Sequence, residues 1–312
     1  MDNKIIVVAG PTASGKTSLG IEIARAVNGE IICADSMQVY KNMPVATAAP
    51  TKEEQSRVRH HLNEFLEPDR EFSVALWCDL AKKTADDILK RGKTPVIVGG
   101  TGLFIDSFVD NISFEDVRIN EELRAKLMSK DVDELYNELK RVDPESAENI
   151  HKNNKKRVAR ALELYYSGVT KTQQNINSKK EKSPYEFLYF VLDYKDRQNL
   201  YDRINKRVDL MVEQGIVDEA RECLSKAGKT SAQAIGHKEL KPYLDGEITL
   251  YEALDNLKKE TRHYAKRQIT WFKRRENAVH LVLDEDREDA VKEAVKQCED
   301  FLNGTVTREK SE

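Results

Sequence analysis

The sequence predicts an α/β protein: a P-loop, doubly wound parallel sheet as the core, with an inserted helical domain and a helical C-terminal part. Three observations carry that expectation. The run Gly10-Pro11-Thr12-Ala13-Ser14-Gly15-Lys16-Thr17 stands between the apolar stretch Ile5-Ile6-Val7-Val8-Ala9 and a segment, 19–26, whose apolar residues recur at helical spacing. That strand–loop–helix setting is the one a phosphate-cradling loop requires. Strand-like and helical stretches then alternate as far as Gly102, the pattern of parallel βαβ units. From Ser113 the texture becomes helical and rich in charge, with no convincing strand before Glu186.

The first strand is short and wholly apolar. In the loop that follows, glycines let successive N–H groups converge on a phosphate, the helix N-terminus adds partial positive charge and Lys16 adds a full one. The Thr17 hydroxyl is placed to ligate Mg²⁺. The loop therefore indicates a phosphate chain without saying which ester carries it. Residues 30–34 read as a second buried strand that delivers Asp35-Ser36-Met37-Gln38-Val39-Tyr40 to its C-terminal end, where open α/β sheets bind ligands. Residues 42–50 read as a loop, 74–91 as a helix stopped by Gly92, and 94–102 as a third strand running into a glycine turn. Helices are expected at 123–130, 132–142 and 155–166, a return to the sheet at 186–193, and a long helix at 200–214 closed by Gly215. Helices at 217–226, 238–244 and 250–273, a strand at 279–283 and a helix at 289–302 complete the pattern. The domain expectation is 1–112 for the first part of the core, 113–183 for the insertion, 184–302 for the return to the core and 303–312 for a loose tail.

With 312 residues, 34% of them charged and 39% hydrophobic, the composition is that of a soluble globular protein with one large or two modest domains. No apolar run approaches a membrane span, and the first strand begins too early for a signal peptide, so a cytoplasmic chain is expected. Cys33, Cys78, Cys223 and Cys298 are scattered, which indicates neither a disulfide framework nor a zinc site. The net charge of −3 excludes nothing, because nucleic-acid binding depends on how charge is distributed.

Several groups are suited to chemistry. Asp35, beside the phosphate loop, is able to hold Mg²⁺ through water, contact a sugar or take a proton from an acceptor; a helix-capping aspartate would occupy the same position. The Gln38 amide can both donate to and accept from an adenine edge, and Thr101 adds a hydroxyl to the same face. Two segments are basic. Between His151 and Arg160 stand Lys152, Lys155, Lys156, Arg157 and Arg160 with no acid, and 258–275 holds eight Lys or Arg against the single acid Glu260. The second is interleaved with His263, Tyr264, Trp271 and Phe272, and Arg262, Lys266 and Lys273 share one helical face. Such a stripe suits phosphate contacts and base stacking; a solvated basic helix with its aromatics turned inward reads the same way.

Taken together, Gly10 to Thr17, Asp35 to Tyr40, Val98-Gly99-Gly100-Thr101-Gly102-Leu103, Arg157-Val158-Ala159-Arg160-Ala161-Leu162-Glu163, and Thr261-Arg262-His263-Tyr264-Ala265-Lys266-Arg267-Gln268-Ile269-Thr270-Trp271-Phe272 resemble the tRNA dimethylallyltransferases of the bacterial single-chain type. The match runs in order from residue 4 to 275, and the last run is close to diagnostic. The resemblance implies transfer of a dimethylallyl group from dimethylallyl diphosphate to N6 of the adenosine 3′ to the anticodon, with Mg²⁺ near Thr17. It implies a monomer that takes the anticodon stem-loop of tRNA as partner. It makes Asp35 the base, with Thr101 beside it in the catalytic set, and assigns the diphosphate to Gly10, Pro11, Thr12, Ala13, Ser14, Gly15, Lys16, Thr17 and Arg207. It assigns tRNA contacts to Asp35, Ser36, Met37, Gln38 and Thr101, and to Arg124, Lys156, Arg157 and Arg160 in the insertion. Further contacts implied by the resemblance are Ala234, Ile235, Gly236 and His237, then Arg262, Lys266, Arg267, Trp271 and Lys273.

The chain departs from the family pattern in places. Asn42-Met43-Pro44-Val45-Ala46-Thr47-Ala48-Ala49-Pro50 stands where Gly-Met-Asp-Ile-Gly-Thr-Ala-Lys-Pro is usual, which removes an acid and a lysine beside the site. Asn63-Glu64 replaces Ile-Asp, and His237 replaces a common tyrosine. Two other classes compete: a small-molecule P-loop enzyme, either a nucleotide kinase or an adenylate dimethylallyltransferase, and a non-catalytic RNA-binding module. The basic helices count against the first, and the joint presence of Asp35, Thr101 and Arg207 counts against the second.

Overall fold

The computed structural model describes residues 3–114, 120–178 and 181–305. They divide into two compact units, 1–109 with 184–312, and 110–183. The change falls a few residues before the expected 113, at the end of a helix that the sequence reading had not placed.

In the first unit the chain runs β1 (Lys4–Ala9), α1 (Lys16–Ala26), β2 (Gly29–Cys33), α2 (Pro44–Thr47), α3 (Lys52–Arg57), β3 (His60–His61), α4 (Val74–Lys90), β4 (Thr94–Gly99) and α5 (Gly102–Val109). The second unit follows, with α6 (Glu121–Ser129), α7 (Val132–Val142), α8 (Pro144–Asn149), α9 (Lys155–Tyr166) and α10 (Lys171–Ser178). The chain returns to the first unit through β5 (Glu186–Asp193), α11 (Arg197–Glu213), α12 (Ile216–Leu224) and a 3-10 turn (Ser231–Gln233). It then makes α13 (His237–Leu244), α14 (Leu250–Phe272), β6 (Val279–Val282) and α15 (Arg287–Asn303). Most of the expected loose tail, 306–312, lies outside the described residues. No described helix is long and apolar enough to cross a membrane.

The six strands form one sheet in the order β3-β2-β4-β1-β5-β6, all pairs parallel. Right-handed crossovers put α1 on one face and α4 on the other, because β1 to β2 and β3 to β4 move in opposite directions across the sheet. Ile6 and Val8 pack with Leu19 and Ile23 of α1 and Ala294 and Cys298 of α15. Trp77 of α4 is fully buried, stacks on Phe104 of α5, and donates its indole N–H to Cys33 O at 2.9 Å. Direction reverses at β1, whose neighbours are β4 and β5. The loops after β1 and β4 therefore leave on different faces and open a crevice at their C-terminal ends.

The segment 42–50, expected as a loop, contains α2, and 51–57 adds α3, opened by a capping box in which Thr51 and Glu54 exchange side-chain and backbone hydrogen bonds. Helices of four and six residues have no readable apolar period. In the second unit each of α6 to α9 starts at a side-chain cap, Asn120, Asp131, Asp143 and Asn154 in turn. These helices close on Leu127, Leu135, Leu139, Val158 and Leu162.

At the start of β2, Glu30 is 3% exposed and its carboxylate takes both Arg91 Nη atoms at 2.6 and 2.7 Å, with His61 Nε2 at 2.7 Å and Lys93 Nζ at 2.9 Å. The Arg91 hydrogen bonds hold its carboxyl far below the usual carboxylate range, against burial, which raises it. Glu30→Gln leaves Arg91 and Lys93, about a third exposed, facing a neutral amide and is expected to destabilise the fold by about 1–3 kcal/mol at neutral pH. Because the folded pKa is the lower one, this stabilisation is present above the ordinary glutamate value of about 4.3 and fades as pH falls below it. Denaturant melts of both proteins at pH 7 and pH 3 check this: the gap must narrow in acid.

Candidate active site

The crevice opens into a cavity of about 570 Å³, lined from the phosphate loop, the turn after β2, α2, α11, α14 and the first residue of α15. Ala13 at φ +61° and Gly15 at φ +95° turn the loop through left-handed conformations, the geometry that aims N–H groups at an anion. Around it stand Lys16, Arg203, Lys206, Arg207 and Arg287. Arg207 Nη1 lies 3.4 Å from Thr12 Oγ1, and Arg203 Nε donates to Ala13 O at 2.9 Å. Lys16 Nζ donates to Pro11 O at 2.6 Å. Burial, then the Arg207 guanidinium, brings the Lys16 amine down to about 7, opposed by Asp35. Burial likewise lowers Arg207, with Asp35 opposing. The fully buried Ser14 hydroxyl finds no partner among the described residues.

Asp35 lies on the same wall. Its Oδ1 accepts from Met37 N at 2.8 Å and Gln38 N at 3.3 Å, which fixes the orientation of the carboxylate. Thr101 accepts from Ser36 N at 3.0 Å and meets the Tyr264 hydroxyl. It is half-buried between Ser36 and Tyr264, which both line the cavity. Burial, followed by the Asp35 charge, pushes the Tyr264 phenol well above its ordinary value. Gln38 Nε2 donates to Thr47 O and Ala48 O, both at 3.1 Å. Both amide hydrogens are thus committed, and of the two expected modes only acceptance through Oε1 remains.

Sequence reasoning missed Tyr264 as a cavity residue, and also Arg203, Arg287 and Gln268. Gln268, 5% exposed, accepts from Thr12 N at 2.8 Å and donates to Gly100 O at 2.8 Å, tying the phosphate loop to the turn after β4. A Cβ at Gly100 would stand 2.3 Å from its Nε2, so a side chain there would displace this tie. The Gln268 signal was legible as an isolated glutamine on the buried side of α14; Arg287, far along the chain, carried none.

Other expected RNA contacts are distributed differently. On α14, Lys259, His263, Lys266, Thr270 and Lys273 form the exposed stripe. Arg262 leaves the face it was expected to share, since it is half-buried and donates to Asn205 Oδ1 at 2.6 Å. Arg267 is exposed, 5.7 Å from the Tyr264 ring centroid. Trp271 is no open stacking surface: its indole donates to Asp106 Oδ2 at 2.6 Å, and its ring lies where a Cβ on Gly102 would be. His237, 1% exposed, pairs with Glu219 at 2.8 Å, and Ala234 is also buried. In the second unit, Lys156 and Arg157 are exposed. Arg124 and Arg160 both grip the buried Glu163, at 2.6 and 2.9 Å. Burial works to raise the Glu163 carboxyl, but Arg124 and then Arg160 hold it below the usual range.

A parallel α/β sheet with a cation-ringed phosphate loop and a pinned carboxylate in one cavity defines a P-loop protein built to act on a phosphorylated substrate. The profile of the family described as IPP transferase matches residues 38–275, and that of isopentenyl transferase matches 3–72. A tRNA dimethylallyltransferase of Acetivibrio thermocellus is 45% identical over 310 residues, covering 97% of this chain and 98% of that protein. One from Halalkalibacterium halodurans is 44% identical, covering 89% and 90%. Among solved structures, the tRNA isopentenylpyrophosphate transferase of Bacillus halodurans superposes with a TM-score of 0.72 at 40% identity, over 97% of this chain and 96% of that one. A eukaryotic dimethylallyltransferase acting on tRNA gives 0.84 at 29% identity, over 99% and 82%. The chain belongs to the tRNA dimethylallyltransferase family of prenyltransferases.

Proposed function

We propose that the chain transfers a dimethylallyl group from dimethylallyl diphosphate to N6 of the adenosine 3′ to the anticodon in tRNA, acting as a monomer in the cytoplasm. The observation that carries the reading is the placement of the pinned Asp35 carboxylate and the cationic phosphate loop on one cavity. An adenine N6 amine is a weak nucleophile because its lone pair is delocalised into the ring. As the N6–C1 bond forms, Asp35 Oδ2 takes the N6 proton and the C1–O bond to diphosphate breaks. Loop amides, Lys16, Arg203, Arg207 and Arg287 receive the departing charge. Among the described residues no group of three His, Cys, Asp or Glu is placed to hold a metal. The Thr17 hydroxyl on the cavity wall, with water and substrate phosphate oxygens, is the fitting donor set for Mg²⁺. That ion would supply further neutralisation of the diphosphate. The target base must leave its stack to reach the cavity.

Incubation with Mg²⁺ and radiolabelled dimethylallyl diphosphate, with unmodified tRNA and AMP offered in parallel, tests the reading. Label in tRNA alone is expected; label in AMP alone would replace it with a free-nucleotide acceptor, and label in neither would remove the transfer reading. The exposed stripe on α14 contributes phosphate contacts to RNA binding. Lys266→Ala is expected to weaken tRNA binding and reduce the slope of log affinity against log salt by about 1. A filter-binding salt titration that returned the wild-type slope would make that face merely solvated.

A further inference from the structure

The cavity wall formed by α2 is held from behind by a group with no part in the chemistry. Pro44, the first residue of α2, has no N–H, and Met43 gives no side-chain cap. The next two amides, Val45 N and Ala46 N, donate to the two Glu219 carboxylate oxygens at 2.7 and 2.9 Å. Glu219 belongs to α12, and its side chain is 10% exposed. His237, the first residue of α13, donates from Nε2 to Glu219 Oε1 at 2.8 Å. Gly236, at φ +113°, lets the two segments close: a Cβ there would lie 3.1 Å from Ala46 Cβ. At the other end of the same short helix, Thr47 O and Ala48 O take both Gln38 amide hydrogens. One continuous path of hydrogen bonds therefore runs from His237 through Glu219 and α2 to Gln38, a residue of the cavity wall.

We infer that Glu219, oriented by His237, is a positioning residue for the acceptor-base side of the cavity: it fixes α2, and α2 fixes the Gln38 carbonyl as an acceptor. This rests on the reading of the cavity as the site of an adenosine acceptor. The Glu219 hydrogen bonds run to α2 and His237 and not to α1 or α11, the elements of the phosphate side, although Val208 and Met211 of α11 share an apolar cluster with Ala46. Glu219→Gln keeps the side-chain shape, but its NH₂ now opposes one of the two amides it served. The KM for tRNA is expected to rise about tenfold, the loss of roughly one charge-assisted hydrogen bond, with affinity for inorganic diphosphate unchanged.

The deciding test is a double-mutant cycle. If Glu219 acts through Gln38, the Glu219→Gln/Gln38→Ala protein is no worse toward tRNA than Gln38→Ala alone. Effects that multiply, or an equal loss of diphosphate binding, would overturn the inference. His237→Asn, which leaves the carboxylate on α2 and removes only its imidazole partner, gives a weaker version of the same pattern and serves if Glu219→Gln fails to fold. Hydrogen exchange separates this inference from the proposed reaction. Faster exchange at the Val45 and Ala46 amides supports the latch even if wild-type protein modifies no tRNA, whereas unchanged exchange overturns it even if tRNA is modified.

Discussion

Replacing Asp35 by alanine lowers turnover by a factor on the order of 10² or more, while tRNA and diphosphate binding stay close to wild type. The reason is geometric. Oδ1 is spent on Met37 N and Gln38 N, so the carboxylate stands in one orientation and Oδ2 is the atom left for a proton. Truncation removes the proton acceptor at the moment the N6 lone pair must be freed, an interaction made chiefly in the transition state. Asp35→Asn isolates the effect, because the amide oxygen can keep the backbone hydrogen bonds but cannot serve as the base. Single-turnover rates with saturating tRNA read the chemical step directly. A tRNA affinity that falls as far as the rate would make Asp35 a binding group instead.

Lys16 carries the second large effect, and its pH dependence falls near neutrality, well below the range of an ordinary lysine. Burial and Arg207 bring its amine down to about 7, so near neutrality a sizeable fraction is uncharged. A bound diphosphate favours the charged form and raises that pKa, so binding takes up a proton. Affinity is therefore full below pH 7 and falls as pH rises through 7 toward the ordinary lysine value, by up to about tenfold per unit. Lys16→Met removes both the charge and this dependence, and kcat/KM for dimethylallyl diphosphate drops on the order of 10² or more. Calorimetry of inorganic diphosphate binding at pH 8, in buffers of different ionisation enthalpy, measures the proton directly. Equal uptake by wild type and Lys16→Met would place the titrating group elsewhere.

Asp35 and Lys16 owe their settings to different levels of the molecule. That a phosphate loop, a carboxylate at a strand end and a glycine turn would meet was legible in the chain, because each is a local pattern tied to a strand terminus and parallel sheets gather those termini along one edge. The basic character of 258–275 was legible too. Which of its charges face outward was not: Arg262 and Trp271 turned inward, drawn by Asn205 and Asp106, partners far away in sequence. His237 shows the same limit. The family resemblance implies a tRNA contact at this position, whereas a carboxylate on another helix holds the side chain in the core.

Periodicity and motif made the five longer strands, most of the long helices and the phosphate loop legible in the chain, but not the two-residue β3 or the apolar α5. The legible elements follow from periodicity and backbone chemistry within a few residues. Packing across the fold set the short α2, the arrival of Arg203 and Arg287 at the loop, the role of Gln268 as a tie and the latch behind Gln38. Arg287 aside, each depends on a polar group finding a partner far away in sequence. Hydrogen bonds leave no period in a sequence, so such pairings become visible only once packing has brought the two ends together.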